Sequence, residues 1–344
     1  MSEDTQRPNP ASVPLTRRQF LGAAAATAGM IAVPGRSALG GTSAFHFGAG
    51  PDSKFGGVQI GAITYSFRSM PSSAEQLLGY LVESGISSTE LMGPPILAYI
   101  GAPTTDAPSP RAISQMTDPA QREAAQRARA AFDEEMRRFY ASPPLEKLAA
   151  LRKMYSDAGV TIHIAKFSPG ANPEATEFAY RAARALGARG VTNEIGEEAC
   201  RVQGPVAARH GLTAAMHNHG QPSEPNFAGF DHFLAISPGV SLNFDFGHYF
   251  GFTGKSPVPE IQRLSGRITS MHMKDKAAPA VVGESGANLP WDQGATPIAE
   301  VLRLVQREKY PINCDIELEY EIPAGSNAVA EVKKCVEFCR EVLT

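Results

Sequence analysis

From residue 58 onward, the sequence alternates eight times between a strand-like run and a helix-like run. This alternation favours parallel strands joined by crossover helices. Eight such units over roughly 280 residues predict a closed (β/α)8 TIM barrel rather than an open sheet. No glycine-rich phosphate loop opens a helix-like run, so a dinucleotide-binding fold has no support. The strand-like runs cover residues 58–65, 86–91, 160–167, 190–195, 212–218, 240–244, 268–273 and 312–318.

One segment, residues 93–143, interrupts this alternation between the second strand and its helix. It contains a stretch rich in Pro, Gly and Thr, followed by a charged, Ala-rich run that is predicted to be helical over residues 119–140. In a barrel such a segment belongs to a strand-to-helix connection, at the end where catalytic residues lie. We therefore expect a single barrel domain over residues 56–344, with an insertion that serves as a lid or as a subunit contact.

The N-terminus has the layout of an export signal. Two adjacent arginines, Arg17 and Arg18, precede Phe20 and a short apolar run rich in Ala and Gly. This pattern is typical of the twin-arginine signal. It predicts a signal peptide over residues 1–40, a flexible linker over 41–55, and a periplasmic or secreted protein that engages the twin-arginine export machinery. The apolar run is too short for a stable membrane anchor, although an uncleaved anchor helix remains the alternative.

The charge balance argues against nucleic acid as a partner. The 344 residues include 32 Lys and Arg against 35 Asp and Glu, and no Lys/Arg run of the kind that binds phosphate backbones. A small neutral or weakly charged ligand fits this balance better. The four cysteines show no CxxC spacing, which predicts buried or reduced thiols rather than disulfides or a metal cluster.

Four strand-like runs in the second half of the chain end in side chains that can bind metals. Imidazole nitrogens and carboxylate oxygens suit a borderline divalent cation such as Mn, Co or Zn. When they cap successive strands of a barrel, they converge on one end of it. The sequence therefore predicts a metal site at that end. The side chains are His217, His219, Asp245, His248, His272, Asp275, Glu317 and Glu319.

The alternation of side chains along a strand predicts which of them share a face. It places His217 with His219 and His272 with Lys274, pointing toward the barrel axis. A single His or Asp at a strand end is often structural, and an Asp there often caps the next helix. Several polar groups together inside a barrel would be costly without a function, so their joint occurrence favours a site.

Three segments resemble the last three strands of the xylose-isomerase-like barrels. They are Asp245-Phe-Gly-His248, Met271-His-Met-Lys-Asp275 and Tyr310-Pro-Ile-Asn-Cys-Asp-Ile-Glu317. Residues 60–67 and Thr89-Glu-Leu91 are also similar to the first two strands of that family, and the resemblance extends over residues 56–344. The superfamily includes sugar phosphate isomerases/epimerases, ketose 3-epimerases and inosose dehydratases.

The resemblance implies that Asp245, His272 and Glu317 are metal ligands and that His248 contacts the substrate beside the metal. The family's remaining ligand is a glutamate at the end of the fifth strand, where this sequence has no carboxylate. We expect His219 to complete the metal shell instead, with Gln221 and Glu194 as alternatives. Among Mn, Co and Zn, Mn is favoured.

The chemistry of such a site predicts an isomerase or epimerase acting on a non-phosphorylated sugar or keto-sugar through an enediolate. Export favours a free sugar, because sugar phosphates are cytoplasmic intermediates. Two alternatives stay open: a lyase or dehydratase acting on an inosose or 3-keto-glycoside, and a non-catalytic, metal-dependent sugar-binding protein. The candidate acid and base groups are Glu317, His248 and Lys166, and the candidate substrate contacts are His217, Lys274 and Trp291.

Overall fold

The computed structural model describes residues 50–221 and 229–344. The predicted export signal and most of the predicted linker lie outside the described residues, as does the segment 222–228. Within the described part of the chain, no helix is long and apolar enough to cross a membrane.

Eight parallel strands form a closed barrel. Each strand pairs with the next along the chain, and the first pairs with both the second and the eighth, which closes the sheet. The predicted (β/α)8 barrel is thereby confirmed. The strands are β1 Val58–Ile63, β2 Ser88–Met92, β3 Thr161–Lys166, β4 Gly190–Glu194, β5 Thr213–His217, β6 Val240–Asp245, β7 Ile268–Met273 and β8 Asn313–Ile316.

Helices surround the barrel and cover the outer faces of its strands. In the described part of the chain they are α1 Ala74–Glu83, α2 Gly93–Ile100, α3 Pro110–Ser114, α4 Pro119–Ala141, α5 Leu145–Asp157, α6 Pro173–Leu186, α7 Glu197–His210, α8 Phe230–Ile236, α9 Phe246–Thr253, α10 Val258–Leu264, α11 Ile298–Glu308 and α12 Ala328–Leu343.

Local chemistry explains where these helices begin and end. A capping box between Ser73 and Gln76 opens α1, and the Asn172 side chain caps α6 by accepting a hydrogen bond from the backbone N–H of Ala175. Gly187 and Gly211 end α6 and α7 in the left-handed conformation that glycine adopts without steric cost. The fold thus follows from signals within each segment as well as from burial in the core.

Residues 93–143 are more regular than the sequence suggests. The predicted helix is present as α4, but α2 begins directly after β2, in the stretch rich in Pro, Gly and Thr. Proline is tolerated in the first turn of a helix, because the amide hydrogen that it lacks would have no partner there. Pro94 and Pro95 occupy this first turn, and Ile96 and Ile100 bury the apolar face of α2.

The thiols are buried and free, as predicted. None of the four cysteines in the described residues forms a disulfide: Cys200, Cys314, Cys335 and Cys339.

Candidate metal centre

Four buried side chains meet at the carboxyl end of the barrel. Two of them, His217 and Asp245, are the last residues of β5 and β6. His272 lies within β7, and Glu317 directly follows β8. Each offers one ligand atom, and these atoms all lie within 4.8 Å of one another. A separation of this size is what a single cation with bonds of about 2.0–2.2 Å requires. The four residues are His217, Asp245, His272 and Glu317.

Two of these ligand atoms already face a positive charge. Asp245 Oδ2 lies 2.8 Å and Glu317 Oε2 lies 2.7 Å from Lys274 Nζ, and His272 Nδ1 lies 2.9 Å from Glu317 Oε2. A cation bound between the four side chains would therefore lie directly beside Lys274. Two imidazoles and two carboxylates fit a divalent cation.

The Asp245 carboxylate is held in place through its other oxygen. Oδ1 accepts a hydrogen bond of 2.6 Å from the backbone N–H of His248 and so caps α9. The backbone N–H of Asp245 donates to Asn218 Oδ1 at 3.0 Å, which ties the end of β6 to the residue after β5. Asp245 therefore combines the structural and functional roles that its sequence position allowed, one for each oxygen.

His217, rather than His219, joins the four-residue group. β5 ends at His217, and the side chain of Asn218 turns inward to pair with the backbone of Asp245. The alternation expected for a continuing strand is lost, and the His219 side chain is 49% exposed. Its Nε2 lies 3.5 Å from Glu194 Oε2, so both side chains lie at the mouth of the site.

The other predicted candidates for the fourth ligand lie elsewhere. Gln221 Oε1 accepts a hydrogen bond of 2.6 Å from the backbone N–H of His219, and Glu194 lies between His219 and Lys166. The structure does not bring His219, Gln221 or Glu194 into the four-residue group. His219 does belong to a second group of possible ligands, which it forms with His217 and His248.

Lys274 places a buried positive charge beside the candidate metal ligands. Its Nζ lies 2.8 Å from Asp245 Oδ2, 2.7 Å from Glu317 Oε2 and 2.8 Å from Glu319 Oε2. Burial alone would lower the pKa of Lys274, but the three carboxylates outweigh burial and raise it. Lys274 therefore remains an ammonium group, and its three N–H donors match the three carboxylates around it.

The histidines His217 and His248 are neutral. Burial, followed by the positive charge of Lys166, lowers the pKa of His217 well below its usual value. Burial and then the charge of Lys274 lower the pKa of His248 to about 2. A neutral imidazole is the form that binds a metal or accepts a proton, so both side chains are in the reactive state.

The pKa values of the two carboxylates in the group, Asp245 and Glu317, are shifted in opposite directions. Burial raises the pKa of Asp245 above its usual value, and the charge of Lys274 offsets this only in part. Burial also acts to raise the pKa of Glu317, but Lys274 and His272 outweigh it, so that this pKa lies well below its usual value. Glu317 is therefore the more firmly ionised of the two.

Gly247 makes room for Lys274. A Cβ atom at Gly247 would clash with Cγ of Lys274 and with its backbone oxygen. We expect Gly247→Ala to destabilise the protein by about 1–3 kcal/mol, as overpacking of a filled interior does. Gly79 is the matched control, because it also lies within a helix but a Cβ there would meet nothing within 4 Å. Gly79→Ala should be neutral or stabilising by about 0.5–1 kcal/mol. Denaturant unfolding measures the change in the free energy of unfolding for both variants. Equal changes in Gly247→Ala and Gly79→Ala would contradict the role assigned to Gly247.

The other predicted site residues are distributed as follows. Lys166, at the end of β3, has its Nζ 3.4 Å from Glu194 Oε1 and faces the same mouth. Trp291 packs edge-on against Phe338 of α12, with ring centroids 5.5 Å apart, and the structure does not bring it to the four-residue group. His248 lies beside the group, with its Nε2 3.0 Å from Lys274 Nζ.

Sequence analysis did not single out Glu90 as a site residue. Glu90 lies on β2 with no exposed surface, and its Oε2 is 2.9 Å from His272 Nε2. The only sign of Glu90 in the sequence was a charged residue within a strand predicted to be buried. Its contact, His272, lies 182 residues later in the chain. Nothing local in the sequence connects the two.

Comparison with known proteins agrees with this architecture. Among curated proteins, none matches the chain. Among solved structures, the probable 3-DHS dehydratase AsbF of Bacillus anthracis superposes with a TM-score of 0.54 at 17% identity, covering 81% of this chain and 98% of that one. A xylose isomerase domain protein of Alicyclobacillus acidocaldarius gives a TM-score of 0.56 at 14% identity, with coverages of 83% and 99%.

A third structure, the IOLI protein described with a binding zinc atom, gives a TM-score of 0.53 at 13% identity, with coverages of 83% and 99%. At these identities the three structures establish similarity of fold alone. The family model described as the xylose isomerase-like TIM barrel matches residues 122–342, which is more than half of the chain. The chain therefore belongs to the xylose isomerase-like TIM barrel family.

Proposed function

We propose that this protein is a divalent-metal-dependent isomerase or epimerase that acts on a free sugar or keto-sugar. The observation that carries the proposal is the convergence of four buried side chains, His217, Asp245, His272 and Glu317, whose ligand atoms all lie within 4.8 Å of one another. His217 supplies the fourth ligand, and its neutral imidazole suits that role. Mn is the preferred ion, with Co and Zn as alternatives.

A divalent cation held there would polarise a carbonyl oxygen and lower the pKa of the neighbouring C–H and O–H groups. The protein's residues then orient the substrate and move its protons. Lys274 stays charged, and its ion pairs hold Asp245, Glu317 and Glu319 in place beside the substrate. A base takes the α-proton and leaves an enediolate, which then accepts a proton from an acid group at the same or the adjacent carbon.

The candidate acid and base groups come from different elements of the barrel. The residues proposed to bind the metal lie at the ends of β5 to β8, whereas Lys166 ends β3. His248 lies on α9, with its Nε2 3.5 Å from Glu319 Oε2. Epimerisation requires proton transfer on both faces of a planar intermediate, and two separate acid–base groups can provide it. Glu317 is the third candidate, as a ligand and as a base.

The proposed substrate class depends on export. The twin-arginine segment favours a periplasmic location, where phosphorylated sugars are not metabolic intermediates. A free sugar, keto-sugar or glycoside is therefore the proposed substrate. A lyase acting on an oxidised sugar is the second candidate, because β5 contributes His217 in place of a carboxylate and so leaves fewer groups for two-sided proton transfer.

Solvent exchange tests this proposal. The protein is loaded with Mn, Co or Zn, incubated with free keto-sugars and 3-keto-glycosides in D₂O, and followed by NMR. We expect deuterium at the α-carbon together with an isomerised or epimerised sugar, and no exchange after treatment with a chelator. A new alkene or a released aglycone would replace the proposal with the lyase. Saturable sugar binding without exchange would replace it with a sugar-binding protein.

A further inference from the structure

We propose that Glu90 is a positioning residue that holds His272 in the tautomer whose Nδ1 is free to bind the cation. This inference rests on the proposed metal site and adds a residue that makes no contact with the substrate. It concerns a contact between β2 and β7, two strands that are not neighbours in the barrel.

The contact between Glu90 and His272 selects one ring nitrogen. Glu90 Oε2 lies 2.9 Å from His272 Nε2, and neither side chain has exposed surface. An ionised carboxylate can only accept, so Nε2 must carry the hydrogen. When a cation replaces the other ring proton, the lone pair that binds it lies on Nδ1, the atom that faces Asp245 and Glu317. Metal-binding histidines commonly depend on such a carboxylate for their orientation.

Asn243 holds Glu90 in turn. Asn243 Nδ2 donates to Glu90 Oε2 at 2.7 Å, and Asn243 Oδ1 accepts from Ser270 Oγ at 2.7 Å. The second bond fixes which end of the amide faces Glu90. Oε2 thus receives two donors from different strands, which fixes its position at the Nε2 edge of the His272 ring.

Two of the barrel's strand pairings shift register, one beside Glu90 and one beside Asn243. The pairing of β2 with β3 shifts register between Thr89 and Glu90, and the pairing of β6 with β7 shifts between Leu242 and Asn243. Such irregularities redirect side chains and occur preferentially beside active sites. Among the described barrel pairings these are the two shifts, and each immediately precedes a residue that approaches His272 Nε2.

Glu90 is not simply a well-satisfied core residue. Its second oxygen, Oε1, is buried and has no hydrogen-bond partner within the described residues. A half-satisfied buried carboxylate destabilises a fold, so its retention needs a compensating role. The bonds that it does form, through Oε2, go to His272 and to the Asn243 amide that orients it.

The decisive variant is Glu90→Gln, which preserves size and shape. Because Asn243 Nδ2 donates to the same oxygen, a glutamine would keep its carbonyl oxygen facing Nε2 but would lose the charge that favours hydrogen on Nε2. We expect metal affinity to fall by about 10–100-fold, the usual effect of losing an outer-sphere partner. Competition with a chelator of known affinity, using Mn, Co or Zn alone, measures this without substrate or turnover.

The matched control is Glu331→Gln. Glu331 is another buried glutamate, but it accepts hydrogen bonds from the hydroxyls of Tyr320 and Ser326, and it belongs to none of the groups of possible ligands among the described residues. The Glu331→Gln variant should leave metal affinity unchanged. Wild-type affinity in Glu90→Gln, or an equal loss in both variants, would overturn the proposal.

A second variant covers the case in which Glu90→Gln does not fold. Asn243→Ser leaves Glu90 intact but removes the amide that orients it, and we expect a smaller loss of metal affinity in the same direction. Unchanged affinity in Asn243→Ser would contradict the proposal. A wild-type protein that binds no divalent cation would refute the proposed function itself, whereas tight wild-type binding with unaffected variants would refute only the role of Glu90.

Discussion

His217→Ala should lose tight binding of the divalent cation, whereas His219→Ala should largely retain it. His217 is buried and offers a ligand atom within 4.8 Å of those of Asp245, His272 and Glu317, while the His219 side chain is 49% exposed at the mouth. Removal of a direct ligand should weaken affinity by more than about 100-fold, the upper range for an outer-sphere partner. Elemental analysis and chelator competition on the purified variants measure the difference.

This pair of variants shows which histidine at the end of β5 binds the cation. His219 also forms a group of possible ligands with His217 and His248, so it provides a real alternative. Equal losses in both variants would mean that the ion lies nearer the mouth, between the three imidazoles. A loss confined to His219→Ala would contradict the four-residue site.

Glu317→Gln should nearly abolish solvent exchange at the substrate's α-carbon. The residue combines a ligand atom with a carboxylate whose pKa lies well below its usual value, because Lys274 and His272 outweigh the effect of burial. Loss of a general base alone typically lowers the rate by about 10²–10⁴-fold. The exchange rate in D₂O is measured together with metal content, because glutamine can still offer an oxygen to the cation.

Glu321→Gln is the control for that experiment. Glu321 lies four residues further along the chain and is exposed. The Glu321→Gln variant should catalyse solvent exchange at the substrate's α-carbon at the wild-type rate. A Glu317→Gln variant that retains full exchange at normal metal content would exclude Glu317 as an acid or base.

The barrel could be predicted from the sequence because its signals are local. Strand-like and helix-like runs alternate at regular spacing, and the structure has its eight strands within or at those runs. The helix α2 was not predicted, because two prolines and a glycine suggested a loop. Proline in the first turn of a helix is compatible with helical geometry, and burial of Ile96 and Ile100 supplies the stabilisation.

The site could be predicted only in part, because strand ends depend on tertiary contacts. Asp245, His272 and Glu317 follow from their positions on consecutive strands. The choice between His217 and His219 depends on where β5 ends, and this is set by the bonds that Asn218 forms with Asp245.

The position of Glu90 depends on a register shift, which produces no pattern in the sequence. For Trp291, the sequence was equally compatible with stacking on a sugar and with packing against the protein. The structure places it against Phe338, a contact with a helix that begins 37 residues later in the chain.

The most direct test is diffraction from crystals of the manganese-loaded protein, with anomalous data collected at the metal absorption edge. We predict one strong anomalous peak, bound by His217, Asp245, His272 and Glu317, with Nδ1 of His272 directed at the ion. A protein that takes up no manganese, cobalt or zinc, or a peak remote from these four side chains, would contradict the account.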